Sequence, residues 1–235
     1  ETLKLEEEVL GENHPYTFET LNNLSRLLED LGKNEEAYEI YKIGFNRRNT
    51  FFDRVLWVAG DNTRQSYIKL HKPEQDAYIR NLLSLNDERT SKDLLDVILQ
   101  RKGMLLKITS ETQQVVMLSG SPELQAITGK LTEVRKKLAS LTLAGPTDEN
   151  RDQFGKMVYD LEEKVNNYQL ELGKQSVRFR ESTRKIQIED VLAGLDESAL
   201  VDFLTYRKKN DSLALLAVVA NQEGLNVIQY EDLEM

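Results

Sequence analysis

Four leucines set the first constraint on this chain. Leu21, Leu24, Leu28 and Leu31 recur at three and four residues, the period of one helical face. Gly32 follows them, the residue that can end a helix in a left-handed turn without a side-chain penalty. Ala37, Tyr41 and Gly44 then mark one face of a second helix. Ser25, Ala37 and Gly44 are small where two helices of a tight pair must approach. Tyr41 is large where a further helix must be supported. A helix–turn–helix unit of this size cannot bury its apolar face alone and has to lie against a neighbour in a stacked array. Thr2-Leu3-Lys4-Leu5-Glu6-Glu7-Glu8 reads as the tail of a preceding unit, so further units are expected upstream.

At 235 residues, 40% hydrophobic and 30% charged, the chain can bury a real core and is not of disordered composition. No apolar run approaches the ~20 residues of a membrane helix, so no membrane partner is expected. There is no cysteine, which leaves no disulfide, no thiolate metal site and no cysteine nucleophile in this sequence. A cytoplasmic location fits that usage. The net charge is −9, and the basic runs Arg135-Lys136-Lys137 and Arg207-Lys208-Lys209 are short and separate. They read as solvated surface, and nucleic-acid binding is not expected.

From residue 49 to about 184 the sequence stays helical. Phe51, Phe52, Val55, Leu56 and Val58 form a broad apolar face, and Trp57 reads as a core anchor. Gly60-Asp61-Asn62 breaks the run, with Asp61 as a cap. Pro73 restarts a helix through Leu85, and Ser91 starts another. Two heptad seams follow. Leu124, Ile127, Leu131, Val134, Leu138 and Leu141 make the first; Phe154, Val158, Leu161, Val165, Tyr168 and Leu172 make the second. Ser121-Pro122 opens the first helix and Ala144-Gly145-Pro146-Thr147 closes it. The short loop predicts an antiparallel hairpin over 121–183, its second helix on the order of 50 Å long.

After Arg184 the period changes. Ile186–Leu192 reads as a short helix. Ala199–Tyr206, Leu213–Ala220 and Leu225–Tyr230 read as strands, the last two joined through a turn at Gln222-Glu223-Gly224. The fold class expected is therefore mainly α. It comprises an α-solenoid end, a helical bundle with a long antiparallel hairpin, and a small incomplete α/β element at the C-terminus. The divisions expected are 1–48, 49–184 and 185–235.

Leu24-Ser25, Leu28, Gly32, Ala37, Tyr41 and Gly44 stand in the register of a tetratricopeptide (TPR) repeat, and the first unit resembles one. Val9-Leu10-Gly11-Glu12-Asn13-His14-Pro15 is similar to the linker of the longer repeats in kinesin light chains and many bacterial arrays. Leu21 departs from the pattern where an aromatic is common, and Asn34 where Tyr is. The resemblance implies a concave groove lined by Glu19, Asn22, Asn23, Arg26, Glu29 and Asp30. Such a row can hold a peptide or protein partner, Asn on its backbone and Arg26 on a carboxylate.

A second resemblance covers nearly the whole chain. Leu56-Trp57-Val58-Ala59-Gly60-Asp61-Asn62, Val97–Gly103, Leu141–Pro146, Val177-Arg178-Phe179-Arg180 and Val191–Arg207 occur in the order found in TPR-CHAT proteins, whose CHAT domain is a caspase-like peptidase. The resemblance implies that Leu200–Tyr206 opens the CHAT domain and that the catalytic His and Cys follow later strands. His14 and His71 match neither position, so no catalytic residue carries over.

No nucleophile elbow, phosphate loop or paired-histidine metal motif is present either, and no cofactor or metal is expected. Glu6-Glu7-Glu8 and Glu162-Glu163 read as solvated carboxylates, and His14 as a turn residue. The function expected is a non-catalytic interaction and regulatory region of a TPR-CHAT protease, with a protein or peptide, or the remainder of a CHAT domain, as partner. The alternative is a free-standing TPR scaffold with no link to proteolysis. A third reading pairs this chain with a separate catalytic chain through an open edge at Leu213–Ala220.

Overall fold

The structure, a computed structural model, describes residues 1–58, 61–85, 87–183, 187–221 and 223–230. Gly60 of the expected break, Gln222 of the expected turn, Ile186 and the acidic end 231–235 lie outside the described residues. The fold is mainly helical. It runs through α1 (Thr2–Leu10), α2 (Pro15–Asp30), α3 (Asn34–Val55), α4 (Asp61–Leu70), α5 (Lys72–Leu85), α6 (Glu88–Ser119), α7 (Pro122–Ala144), α8 (Phe154–Gln175), α9 (Val177–Thr183) and α10 (Ile188–Ala193). Three strands close it: β1 (Leu200–Arg207), β2 (Leu213–Asn221) and β3 (Gly224–Tyr230).

Two compact units emerge. One is built from Glu1–Leu21, Asn46–Ser66 and Met104–Arg184, the other from Asn22–Phe45, Tyr67–Gly103 and Lys185–Met235.

In the first unit α7 and α8 form the antiparallel hairpin. Leu131, Leu138, Val158, Val165 and Leu172 of the two seams are buried, and their alternates are half-buried. Gly145 ends α7 at φ 69°, and its N–H donates to the Leu141 carbonyl. A Cβ there would stand 3.1 Å from the His14 ring, so only glycine lets the two segments approach so closely. The second helix is shorter than its pattern suggested. α8 stops at Gln175, which at ~1.5 Å per residue makes it roughly 33 Å long. Ser176 is extended, its Oγ accepts from the Phe179 N–H, and α9 starts there. The break lets Phe179 turn inward, where it is fully buried. Gly173 leaves room for the return, its would-be Cβ 3.4 Å from the Arg180 Cβ.

Phe18, Phe51, Phe52, Val55 and Leu56 also fill this unit. Phe18 meets Phe51 edge to face with ring centroids 5.7 Å apart. A 3-10 turn at Leu56–Val58 follows α3. Arg64 ties that turn down, donating to the carbonyls of Leu56 at 2.8 Å and Trp57 at 3.0 Å.

In the second unit α2 ends in the turn that Gly32 permits. Gly32, at φ 74°, donates to Glu29 O, and Lys33 donates to Leu28 O, the paired bonds that satisfy carbonyls left over at a helix end. Ser25, Ala37 and Gly44 are buried, as close helix approach requires. The core joins Ala37, Tyr38, Tyr41 and Phe45 of α3 with Tyr78, Ile79 and Leu82 of α5 and Leu94, Leu95 and Ile98 of α6. One sheet face covers it with Tyr206, Ala214, Leu216, Val218 and Ala220.

The sheet is an antiparallel meander in the order β1-β2-β3. Ala217 stands opposite both Phe203 and Ile228. Leu213–Ala220, expected to present an open edge, is the central strand. A short turn brings Gly224–Tyr230 back along it and takes that edge.

Candidate interaction surfaces

The six residues expected to line the groove all lie on α2, at spacings that place them on one side of the helix. Glu19, Asn23, Arg26 and Asp30 are exposed; Asn22 and Glu29 are half-buried. The Asn22 Oδ1 is shielded from solvent and has no hydrogen-bond partner among the described residues. Leu21 and Ser25, on the opposite side, are buried.

The end of this row is already engaged. Glu29 accepts from the Tyr41 hydroxyl at 3.1 Å and pairs with Lys209 Nζ at 3.1 Å; Lys209 also stands 3.9 Å from Asp30. Lys209 sits in the β1–β2 turn, about 180 positions further along the chain, and nothing local in the sequence announces this contact. Its basic cluster is thus partly an internal clamp. Glu19, Asn22, Asn23 and Arg26 have no such ion pair among the described residues.

Deeper in the same unit Asp93 gathers three donors. Tyr38 donates its hydroxyl at 2.8 Å, Tyr78 at 3.2 Å, and Lys42 its ammonium at 2.9 Å. Burial would discharge Lys42, but its bonds to Tyr38 and Asp93 prevail and raise its pKa. Burial, reinforced by Asp93, holds the Tyr78 hydroxyl well above the usual tyrosine range.

The first unit holds a cleft of about 450 Å³ lined by Asp53, Arg54, Trp57, Lys107, Glu111, Arg135 and Glu162, among others. Arg135 was expected on the solvated surface. It is only 8% exposed, because α7 packs on its second side against the 3-10 turn that carries Trp57. Its guanidinium donates to Glu111 at 2.8 Å and lies 4.3 Å from the centre of the Trp57 ring. Burial lowers its pKa, and Glu111 opposes that shift. Two carboxylates expected in bulk solvent are paired as well. Arg54 Nε donates to Glu162 at 2.7 Å, and Arg47 pairs with Glu7. The carboxylates Asp53, Glu111 and Glu162 of the cleft therefore each face a cation, an arrangement suited to holding helices together.

His14 accepts from the Tyr16 N–H through Nδ1 at 3.2 Å, and burial lowers its pKa. His71 lies beside the Tyr67 ring, with Nδ1 3.6 Å from Glu74. Among the described residues no group of three His, Asp or Glu is placed to hold a metal ion. None of the described helices is long and apolar enough to cross a membrane.

No family of known proteins matches this chain, and neither a curated protein nor a solved structure resembles it significantly.

Proposed function

We propose that this chain is a non-catalytic interaction and regulatory region of a TPR-CHAT protease, working in the cytoplasm. In this reading α2 presents a peptide-binding row to a protein partner, and the C-terminal sheet is the opening portion of the caspase-like domain. The observation that carries it is the row itself. Glu19, Asn23 and Arg26 are exposed on one side of α2, with Asn22 half-buried among them. The Asn23 amide can pair with the backbone of an extended peptide, and Arg26 suits an acidic side chain or a terminal carboxylate.

A photoreactive side chain in place of Asn23 tests the row. The protein it captures should bind the native chain, and Asn22→Ala with Arg26→Glu should weaken that binding by about tenfold or more. Equal binding by the variant refutes the groove. Cleavage of fluorogenic peptides by the purified chain refutes the non-catalytic part.

A further inference from the structure

His14 stands at a junction of the first unit. Its carbonyl accepts the first bond of α2, from the Phe18 N–H at 3.2 Å, and its Nδ1 accepts the Tyr16 N–H at 3.2 Å, so the imidazole caps that helix. Nδ1 can accept only while it carries no proton, which puts the proton of the neutral ring on Nε2. The Cδ2–Nε2 edge lies against the end of α7, where a Cβ on Gly145 would come within 3.1 Å of both atoms. One neutral side chain thus ties the start of α2 to the end of α7.

A proton on Nδ1 works against this arrangement in three ways. The cap bond is lost. The charge stands at a helix N-terminus, which disfavours cations. The ring is half-buried, so the charge is also poorly hydrated. The ionisable neighbours lie on four segments. Glu12 of the linker, Arg54 of α3, and Tyr159 and Glu162 of α8 line a cavity of about 250 Å³ together with His14. Arg54 already donates to Glu162 at 2.7 Å, and Glu12 lies 3.6 Å from Arg47. Leu141–Gly145, at the end of α7, carries no ionisable side chain. Glu6 of α1 is different. Its charge favours protonation of His14, and its Oε2 is buried without a hydrogen-bond partner among the described residues.

We infer that His14 is a pH-operated latch. Neutral, it caps α2 and seats the α1–α2 linker on α7; protonated, it leaves both contacts and turns to the Glu6 carboxylate. This inference does not depend on the function proposed above. In the unfolded chain histidine titrates at about pH 6.5. The folded state resists that proton, so the stability that the latch contributes is whole above pH 6.5 and is lost as pH falls below it.

The test is an NMR titration of the full chain, whose two histidines, His14 and His71, can be followed separately. At pH 8 the ring nitrogen shifts of His14 should place its proton on Nε2. On acidification His14 should titrate below pH 6.5, and the Gly145 amide signal should move with the same midpoint. Exchange of the Tyr16 amide, corrected for its intrinsic rate, should quicken about fivefold across that midpoint. His14→Asn keeps a side-chain cap that does not titrate, so the Tyr16 amide should stay protected and the acid response should vanish. Glu6→Gln removes the charge that favours protonation, so His14 should titrate at a still lower pH. The neutral proton on Nδ1, a midpoint at or above 6.5, a Gly145 signal indifferent to that midpoint, an unmoved midpoint in Glu6→Gln, or an undiminished acid response in His14→Asn would each overturn the inference.

Discussion

Arg135 shows what a single residue can hide. In sequence it opens a basic run on a helix, the usual mark of a solvated face. Its burial depends on Trp57 and Glu111, which are distant along the chain, and no periodicity within α7 reports them. Trp57 itself was legible, since a lone tryptophan inside an apolar run is normally core. The pair makes a sharp prediction. Arg135→Ala leaves the Glu111 carboxylate buried, with Lys107 Nζ 4.0 Å away as its nearest other cation. The loss should be about 3–5 kcal/mol. Replacing both partners, Arg135→Met with Glu111→Leu, removes the uncompensated charge and should recover much of that. Calorimetric unfolding of the singles and the double measures it. A double variant as unstable as the sum of the singles would show that the cation–π contact to Trp57 dominates.

At the level of elements, the strands were the most legible part. The pairing of β1 with β2 could not be read, but short apolar runs between polar turns marked the strands and the turn before Leu225 marked the β2–β3 hairpin, because run length and turn chemistry are local. The α7–α8 hairpin was legible for the same reason. The end of α8 was not. The heptad continues through Leu172, and the break at Ser176 appears only because Phe179 has a core to enter. The protection of β1 along its outer edge was equally invisible, since Lys72, Asp76 and Arg80 lie more than a hundred residues from the Thr205 and Arg207 backbone groups they meet. Asp76 is the centre of that protection, 2% exposed and 3.0 Å from Lys72. Asp76→Ala should cost about 1–3 kcal/mol by leaving the Arg207 N–H without its acceptor and the Lys72 ammonium with only the Thr205 carbonyl. Amide exchange at Arg207 should quicken well before that of the central strand. If Arg207 stayed protected, another acceptor would have to replace Asp76.

Over the whole molecule, element types were set by local spacing, whereas the interaction surfaces were set by contacts between distant segments. The row on α2 came from the register of the repeat that the first helical pair resembles, and its six residues do share one side of one helix. That Glu29 and Asp30 meet Lys209 could not be read from that register, because the contact joins the first helical pair to a strand turn. The same distinction governs how the protein should respond to pH. Tyr38, Tyr41, Tyr67 and Tyr78 all belong to one unit, and burial raises the pKa of each, with Glu29 reinforcing this at Tyr41. In the unfolded chain they ionise near pH 10. Above that pH the unfolded state has released protons that the folded state still holds, so stability falls as pH rises. Below pH 10 this contribution is fully present. Each such tyrosine adds a slope of at most about 1.4 kcal/mol per pH unit. The net charge of −9 grows more negative over the same range and adds repulsion, which salt screens. Urea unfolding of this unit at high salt should therefore still weaken steeply above pH 10. Tyr78→Phe, less stable at neutral pH for want of its bond to Asp93, should flatten the alkaline limb. An unchanged slope in Tyr78→Phe would mean that the Tyr78 hydroxyl contributes nothing to the alkaline limb.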